Sequence, residues 1–140
     1  MTIINNKGKN FITIMVIIAI SAVLLRVITV KVIERNTAQN KSSALGTIKL
    51  IATALENYAK GSKGLYPISF QVLTETKPPY LDKDYITQSP VKGYTYSCSR
   101  LEPSGYNCSA APTICKVTGS SAFTITTGGL LVSEECDKKE

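Results

Sequence analysis

Phe11-Ile12-Thr13-Ile14-Met15-Val16-Ile17-Ile18-Ala19-Ile20-Ser21-Ala22-Val23-Leu24-Leu25 is an apolar run, preceded by Gly8-Lys9-Asn10, that passes without a helix breaker into an amphipathic stretch. Between Asn10 and about Lys60 there is no proline and one glycine, Gly46, so the pattern predicts a single helix across both parts. At about 1.5 Å per residue that helix would be on the order of 75 Å long, more than a small globule can bury. Something outside the chain has to cover its apolar half.

The run of fifteen residues continues as Val27-Ile28-Thr29-Val30 and Val32-Ile33 once Arg26 and Lys31 are allowed. Taken to Ile33 it is long enough to span a bilayer, because basic side chains near a helix end lay their stems in hydrocarbon and reach for the headgroups. Arg26 is read as such an interfacial residue, with a polar contact inside an assembly as the other reading. Lys7 and Lys9 ahead of the run are a positive-inside signal that keeps the N-terminus cytoplasmic and sends the C-terminus across.

The formal charge of +6 belongs entirely to the helix: residues 1–60 hold eight Lys or Arg against Glu34 and Glu56, and the remainder hold eight bases and eight acids. A neutral C-terminal part offers no composition-level basic patch, so no nucleic-acid partner is expected. The chain of 140 residues leaves about eighty after the helix, enough for one small domain. It contains no histidine and no tryptophan, which removes the commonest general base and metal ligand. No nucleophile with a partner base stands out, so the expectation is no enzyme, no cofactor and no metal. Glu134, Glu135 and Asp137 lack the alternation of a calcium loop and read as a solvated acidic tail.

From Asn36 to Lys60 the positions Ala44, Leu45, Ile48, Ile51, Ala52, Leu55, Tyr58 and Ala59 recur at intervals of three and four, with Lys41, Lys49, Glu56 and Lys60 between them. This is a core-facing stripe. Gly61-Ser62-Lys63-Gly64 ends the helix with two glycines able to take positive φ. Residues 65–73 read as a loop leading to a short helix capped by Ser69, and Pro78-Pro79 terminates it. Beyond that the period becomes two. Tyr94, Tyr96 and Cys98 share one face, as do Tyr106, Cys108 and Ala110, which fits sheet packing better than base stacking. A hairpin centred on Pro103 would set Cys98 opposite Cys108, Tyr96 opposite Ala110 and Tyr94 opposite Pro112. Residues 122–126 form a third strand, and Gly128-Gly129 reads as a two-residue turn that would put Phe123, Ile125, Leu130 and Val132 on one face. The expected fold class is α+β, a long N-terminal α-helix packed on a small antiparallel β-sheet.

Cys98, Cys108, Cys115 and Cys136 are separated by nine, six and twenty residues, without a close pair of the zinc-site kind. Disulfides are the better reading, and they need an oxidising compartment. Four cysteines allow three pairings. The proposed hairpin favours Cys98 with Cys108, which leaves Cys115 with Cys136 to clamp the C-terminal segment.

Gly8, Phe11 and the string Met15-Val16-Ile17-Ile18-Ala19-Ile20 resemble the N-terminal segment of type IV pilins and type II secretion pseudopilins. The Tyr66-Pro67 loop, the strand from Tyr94 to Cys98 and the strand and turn from Phe123 to Gly129 are similar to small pseudopilin heads. The resemblance implies a leader over residues 1–8, a transmembrane and assembly half of the helix over 9–35 and a head over 36–140. It also implies processing by a prepilin peptidase between Gly8 and Lys9, with methylation of the new N-terminus. Assembly would run through the helix that carries Phe11, Thr13, Met15 and Arg26, and the partners would be other pilin or pseudopilin subunits in a homo- or hetero-filament. The chain would sit in the inner membrane as a single pass with its head extracytoplasmic, and enter an extracellular or periplasmic filament after assembly.

Two departures from that pattern bear on function. Lys9 stands where the family usually has phenylalanine or methionine, and Thr13 where it usually has the glutamate that neutralises a neighbour's terminal amine. A filament of this chain alone would gather cationic helix starts without that counter-charge, so the expectation is a minor subunit that borrows glutamates from neighbours. The competing reading, from a different class, is a signal-anchored or secreted extracytoplasmic binding module that displays a disulfide-stapled sheet. Ala19-Ile20-Ser21 before Ala22 resembles the signal-peptidase site such a secreted form would use.

Overall fold

The computed structural model of the protein describes residues 6–136, with side chains from Asn10 onward. Six elements follow in order: α1 (Asn6–Gly61), α2 (Phe70–Glu75), β1 (Tyr94–Glu102), β2 (Gly105–Pro112), β3 (Ser121–Thr126) and β4 (Leu130–Glu135). The four strands make one antiparallel sheet in the order β1-β2-β3-β4. The fold is α+β, with a long N-terminal helix and a small antiparallel sheet. The chain separates into two compact units, one ending at Arg35 and one beginning at Asn36.

In the second unit the stripe on α1 becomes the core. Ala44, Ile48, Ile51, Ala52, Leu55 and Ala59 are buried in one cluster with Tyr94, Tyr96, Tyr106, Cys108, Ala110, Phe123 and Ile125 from β1, β2 and β3. The period of 3.6 on the helix and the period of two on the strands present matching apolar faces, which is what lets one layer cover the other. Ala54 joins the buried face and Leu45 and Tyr58 flank it. The tyrosines carry paired hydroxyls into this core: Tyr94 donates to the Ser121 carbonyl at 2.9 Å. Their burial removes them from any stacking platform.

Phe70, Leu73, Leu81 and Tyr85 close the remaining side of the cluster from α2 and the loop after it. Ser69 caps α2 by accepting from the Gln71 N–H at 3.2 Å. The helix ends at Glu75, ahead of the prolines. At the end of α1 the expected use of Gly61 is corrected. Gly61 stays helical, and the left-handed positions are Lys63 (φ 57) and Gly64 (φ 84), with the Gly64 N–H donating to the Ala59 carbonyl at 2.8 Å.

The β1–β2 register places Tyr94 opposite Pro112, Tyr96 opposite Ala110 and Cys98 opposite Cys108. The pairing then shifts by one between Cys98 and Arg100, so Ser99 is a bulge and the turn closes between Glu102 and Gly105. The second hairpin overturns an expectation. Thr126 pairs with Leu130, so the turn has three residues, Thr127, Gly128 and Gly129, and the glycines hold φ of 82° and 75°. A one-residue slip sends every side chain to the other face. Phe123 and Ile125 therefore share their face with Leu131, while Leu130 and Val132 are exposed.

Candidate functional site

The feature that sets this chain apart from an ordinary small domain is the first unit's helical segment. From Asn10 to Arg35 no residue is buried. Sixteen large apolar side chains between Phe11 and Ile33 are exposed, among them Phe11 at 64% and Met15 at 56%. Each is worth roughly 1.5–3 kcal/mol when removed from water, so together they represent a driving force of tens of kcal/mol toward a covering environment. Among the described residues α1 is the helix long and apolar enough to cross a membrane.

Polar groups within the segment are already served by the helix. Ser21 Oγ donates to the Ile18 carbonyl at 2.9 Å, and Thr29 Oγ1 reaches the Leu25 and Arg26 carbonyls at 3.0 and 2.9 Å. Internal pairing of this kind lowers the cost of hydrocarbon burial. Arg26 and Lys31 are exposed on the same helix. Of the residues singled out in the sequence, Phe11, Thr13, Met15 and Arg26 all lie on this segment. The processing pair Gly8 and Lys9 falls outside the residues whose side chains are described, as does Asp137. Glu134 and Glu135 lie on β4, and no metal-binding group of acidic, cysteine or histidine residues occurs among the described residues.

In the second unit Cys98 is bonded to Cys108 and Cys115 to Cys136. The first bond staples β1 to β2, with Cα atoms 3.9 Å apart. The second ties the loop after β2 to the end of β4, where the Cys136 N–H also donates to the Ser120 carbonyl at 3.1 Å.

One polar centre of the head was not anticipated. The half-buried Glu56 carboxylate accepts from the Tyr66 hydroxyl at 3.1 Å, the Tyr106 hydroxyl at 3.0 Å and the Gly128 N–H at 2.8 Å. It joins α1 to the loop after it, to β2 and to the β3–β4 turn. Thr127 completes the clasp, accepting from the Tyr106 N–H at 2.8 Å. Burial, and then the Glu56 carboxylate as acceptor and charge, push the Tyr66 and Tyr106 phenols above their ordinary value. The sequence held one usable signal, since Glu56 follows the core residue Ala52 by four and so lies at the stripe's flank rather than opposite it. Every group in the centre is a partner of another, which marks it as a structural clasp rather than a reacting site.

No protein-family model and no curated protein matches the chain. Among solved structures it is similar to the non-core minor pilin PilV of Neisseria meningitidis, at 16% identity and a TM-score of 0.41, over 74% of this chain and 94% of that one.

Proposed function

We propose that the chain is a structural subunit of a type IV pilus or type II secretion pseudopilus, held in the inner membrane by residues 9–35 and assembled through that segment with related subunits. The observation that carries this reading is the contrast along α1: sixteen exposed apolar side chains precede a half whose own stripe is consumed by the head's core. A soluble recognition domain has no use for the first half. A filament or a bilayer does, and in a filament the sister helices supply the cover by close helix packing.

The resemblance of residues 8–20 to pilin starts adds the route: cleavage by a prepilin peptidase after Gly8, then methylation of Lys9. Thr13, in the place of the usual glutamate, assigns the chain a minor position among subunits that bring that carboxylate. The two disulfides fit a head folded outside the cytoplasm. The role is architectural, not catalytic.

Intact-mass measurement of the chain purified from its host tests this directly. A product that begins at Lys9 with a methylated amine is expected. A product that begins at Ala22 would instead mark a released, secreted domain and end the subunit reading. Deleting the chain and imaging surface filaments alongside a secretion assay then separates the two assemblies: lost filaments indicate a pilus subunit, a secretion defect alone a pseudopilin.

A further inference from the structure

The loop between β2 and β3 holds two exposed apolar side chains, Ile114 and Val117, on a single tight turn: the Val117 and Thr118 N–H groups both donate to the Ile114 carbonyl, at 3.2 and 2.9 Å. Exposed apolar tips on a loop are common. What distinguishes this one is that most of its backbone N–H groups and four of its carbonyls are already paired. Thr118 Oγ1 accepts from the Ile114 N–H at 3.0 Å and donates to its carbonyl at 3.1 Å. The Lys116 N–H donates to the Gly119 carbonyl at 2.8 Å, and the Thr113 N–H to the Gly93 carbonyl at 2.9 Å. The Val117 and Thr118 carbonyls accept from Thr37 Oγ1 at 2.9 Å and Asn40 Nδ2 at 3.0 Å. Cys115 is fixed to Cys136. A turn served in this way by its own chain leaves fewer backbone groups to be hydrated, which lowers the cost of entering the headgroup layer.

Its place in the chain supplies the second observation. Thr37 and Asn40 lie in the first turns of the head's part of α1. Ile33, the end of the apolar segment, precedes Thr37 by four residues, at most about 14 Å even if fully extended, so a lipid boundary at Ile33 lies within that distance of the turn's anchor whatever the chain does at Arg35. Lys116 is on the turn, and the exposed Lys92 is on the adjoining turn whose Gly93 packs against Thr118 and Asn40; ahead of Thr37 in sequence, Arg35 is offset by Glu34. Glu135, beside the Cys115–Cys136 bond, is the acidic neighbour.

We infer that residues 113–119 form a lipid-surface contact, in which Ile114 and Val117 enter the headgroup layer of an anionic phospholipid bilayer and the exposed Lys92 meets its phosphates. This rests on the membrane reading of residues 9–35. The contact would seat the head on the bilayer before assembly and be given up when the subunit leaves the membrane.

The chain has no tryptophan, so single substitutions report one position each. The full chain carrying Val117→Trp, Ile20→Trp or Ile68→Trp is reconstituted in vesicles of phosphatidylcholine and phosphatidylglycerol, with brominated phosphatidylcholine as the lipid quencher and acrylamide as the aqueous one. Positions 117 and 68 are exposed, so the new rings displace no core. Expected is a blue-shifted emission at position 117 and several-fold more quenching by brominated lipid than at position 68, with position 20 quenched most. If position 20 is quenched while 117 is as open to acrylamide as 68, the lipid contact is wrong and the membrane reading stands. If position 20 also escapes the brominated lipid, the membrane reading falls and takes the contact with it. Shielding of position 117 from both quenchers, arising only at high subunit density, would assign the turn to a neighbouring subunit and overturn the lipid contact. Ile114→Trp repeats the measurement three residues away on the same turn, with the same outcome expected.

Discussion

Residues 10–33 and residues 36–60 belong to one helix, yet they solve the burial problem in opposite ways. The later half alternates stripe and charge, and the sheet covers its stripe so that Ile48, Ile51 and Leu55 are at or below 1% exposure. The earlier half is apolar over most of its surface, broken mainly by Arg26 and Lys31, and none of it is buried among the described residues. Identical backbone geometry thus serves two different solvents, and side-chain pattern alone decides which half folds a domain and which half waits for lipid or for other helices.

The largest test of that contrast pairs Ile51→Ala with Ile17→Ala. Truncating the core residue is expected to cost the head about 2–5 kcal/mol in denaturant unfolding, whereas Ile17→Ala should leave the head's midpoint unmoved and show instead as weaker filament incorporation. Equal losses in head stability would contradict the division of labour. Next comes the clasp. Glu56→Ala strips the acceptor from two phenols and an N–H, and a loss of roughly 3 kcal/mol is expected, with Glu56→Gln milder because an acceptor oxygen remains.

Titration sharpens the same point. The Tyr66 and Tyr106 phenols are raised above 10.0 in the fold, so the unfolded chain sheds these protons first. Their contribution is full below pH 10.0 and declines as pH rises from there through the elevated folded values, and Tyr106→Phe should flatten that decline in circular-dichroism melts. The smallest effect is local: Ser69→Ala removes the cap of α2 and should cost about 1 kcal/mol, read as a lower unfolding midpoint with no change in assembly.

Much of this architecture was legible because it is periodic. The stripe from Ala44 to Ala59 and the alternation of Tyr94, Tyr96, Tyr106 and Ala110 announce their buried faces, and symmetry about Pro103 was enough to find the pairs from Tyr94 to Cys98. The Ser99 bulge was not, since it leaves those pairs intact and is absorbed beside the turn. The second hairpin failed for a sharper reason. Two glycines in succession fit a two-residue turn as well as the last two places of a three-residue one, and the choice inverts β4. Tyr85 and Leu81 were missed because their segment has no period at all. The Glu56 centre is assembled from residues 10, 50 and 72 positions away, so only the folded chain brings it together.

The border of the sheet at β4 has one more implication. An edge strand with outward Leu130 and Val132 invites docking of a second copy, and under the proposed role copies sharing a membrane plane would meet often. Glu134 and Glu135 occupy that margin, so two heads approaching edge to edge would bring carboxylates into mutual repulsion. The head is in this way discouraged from polymerising on its own, so under the proposed role any stacking would have to run through the helix.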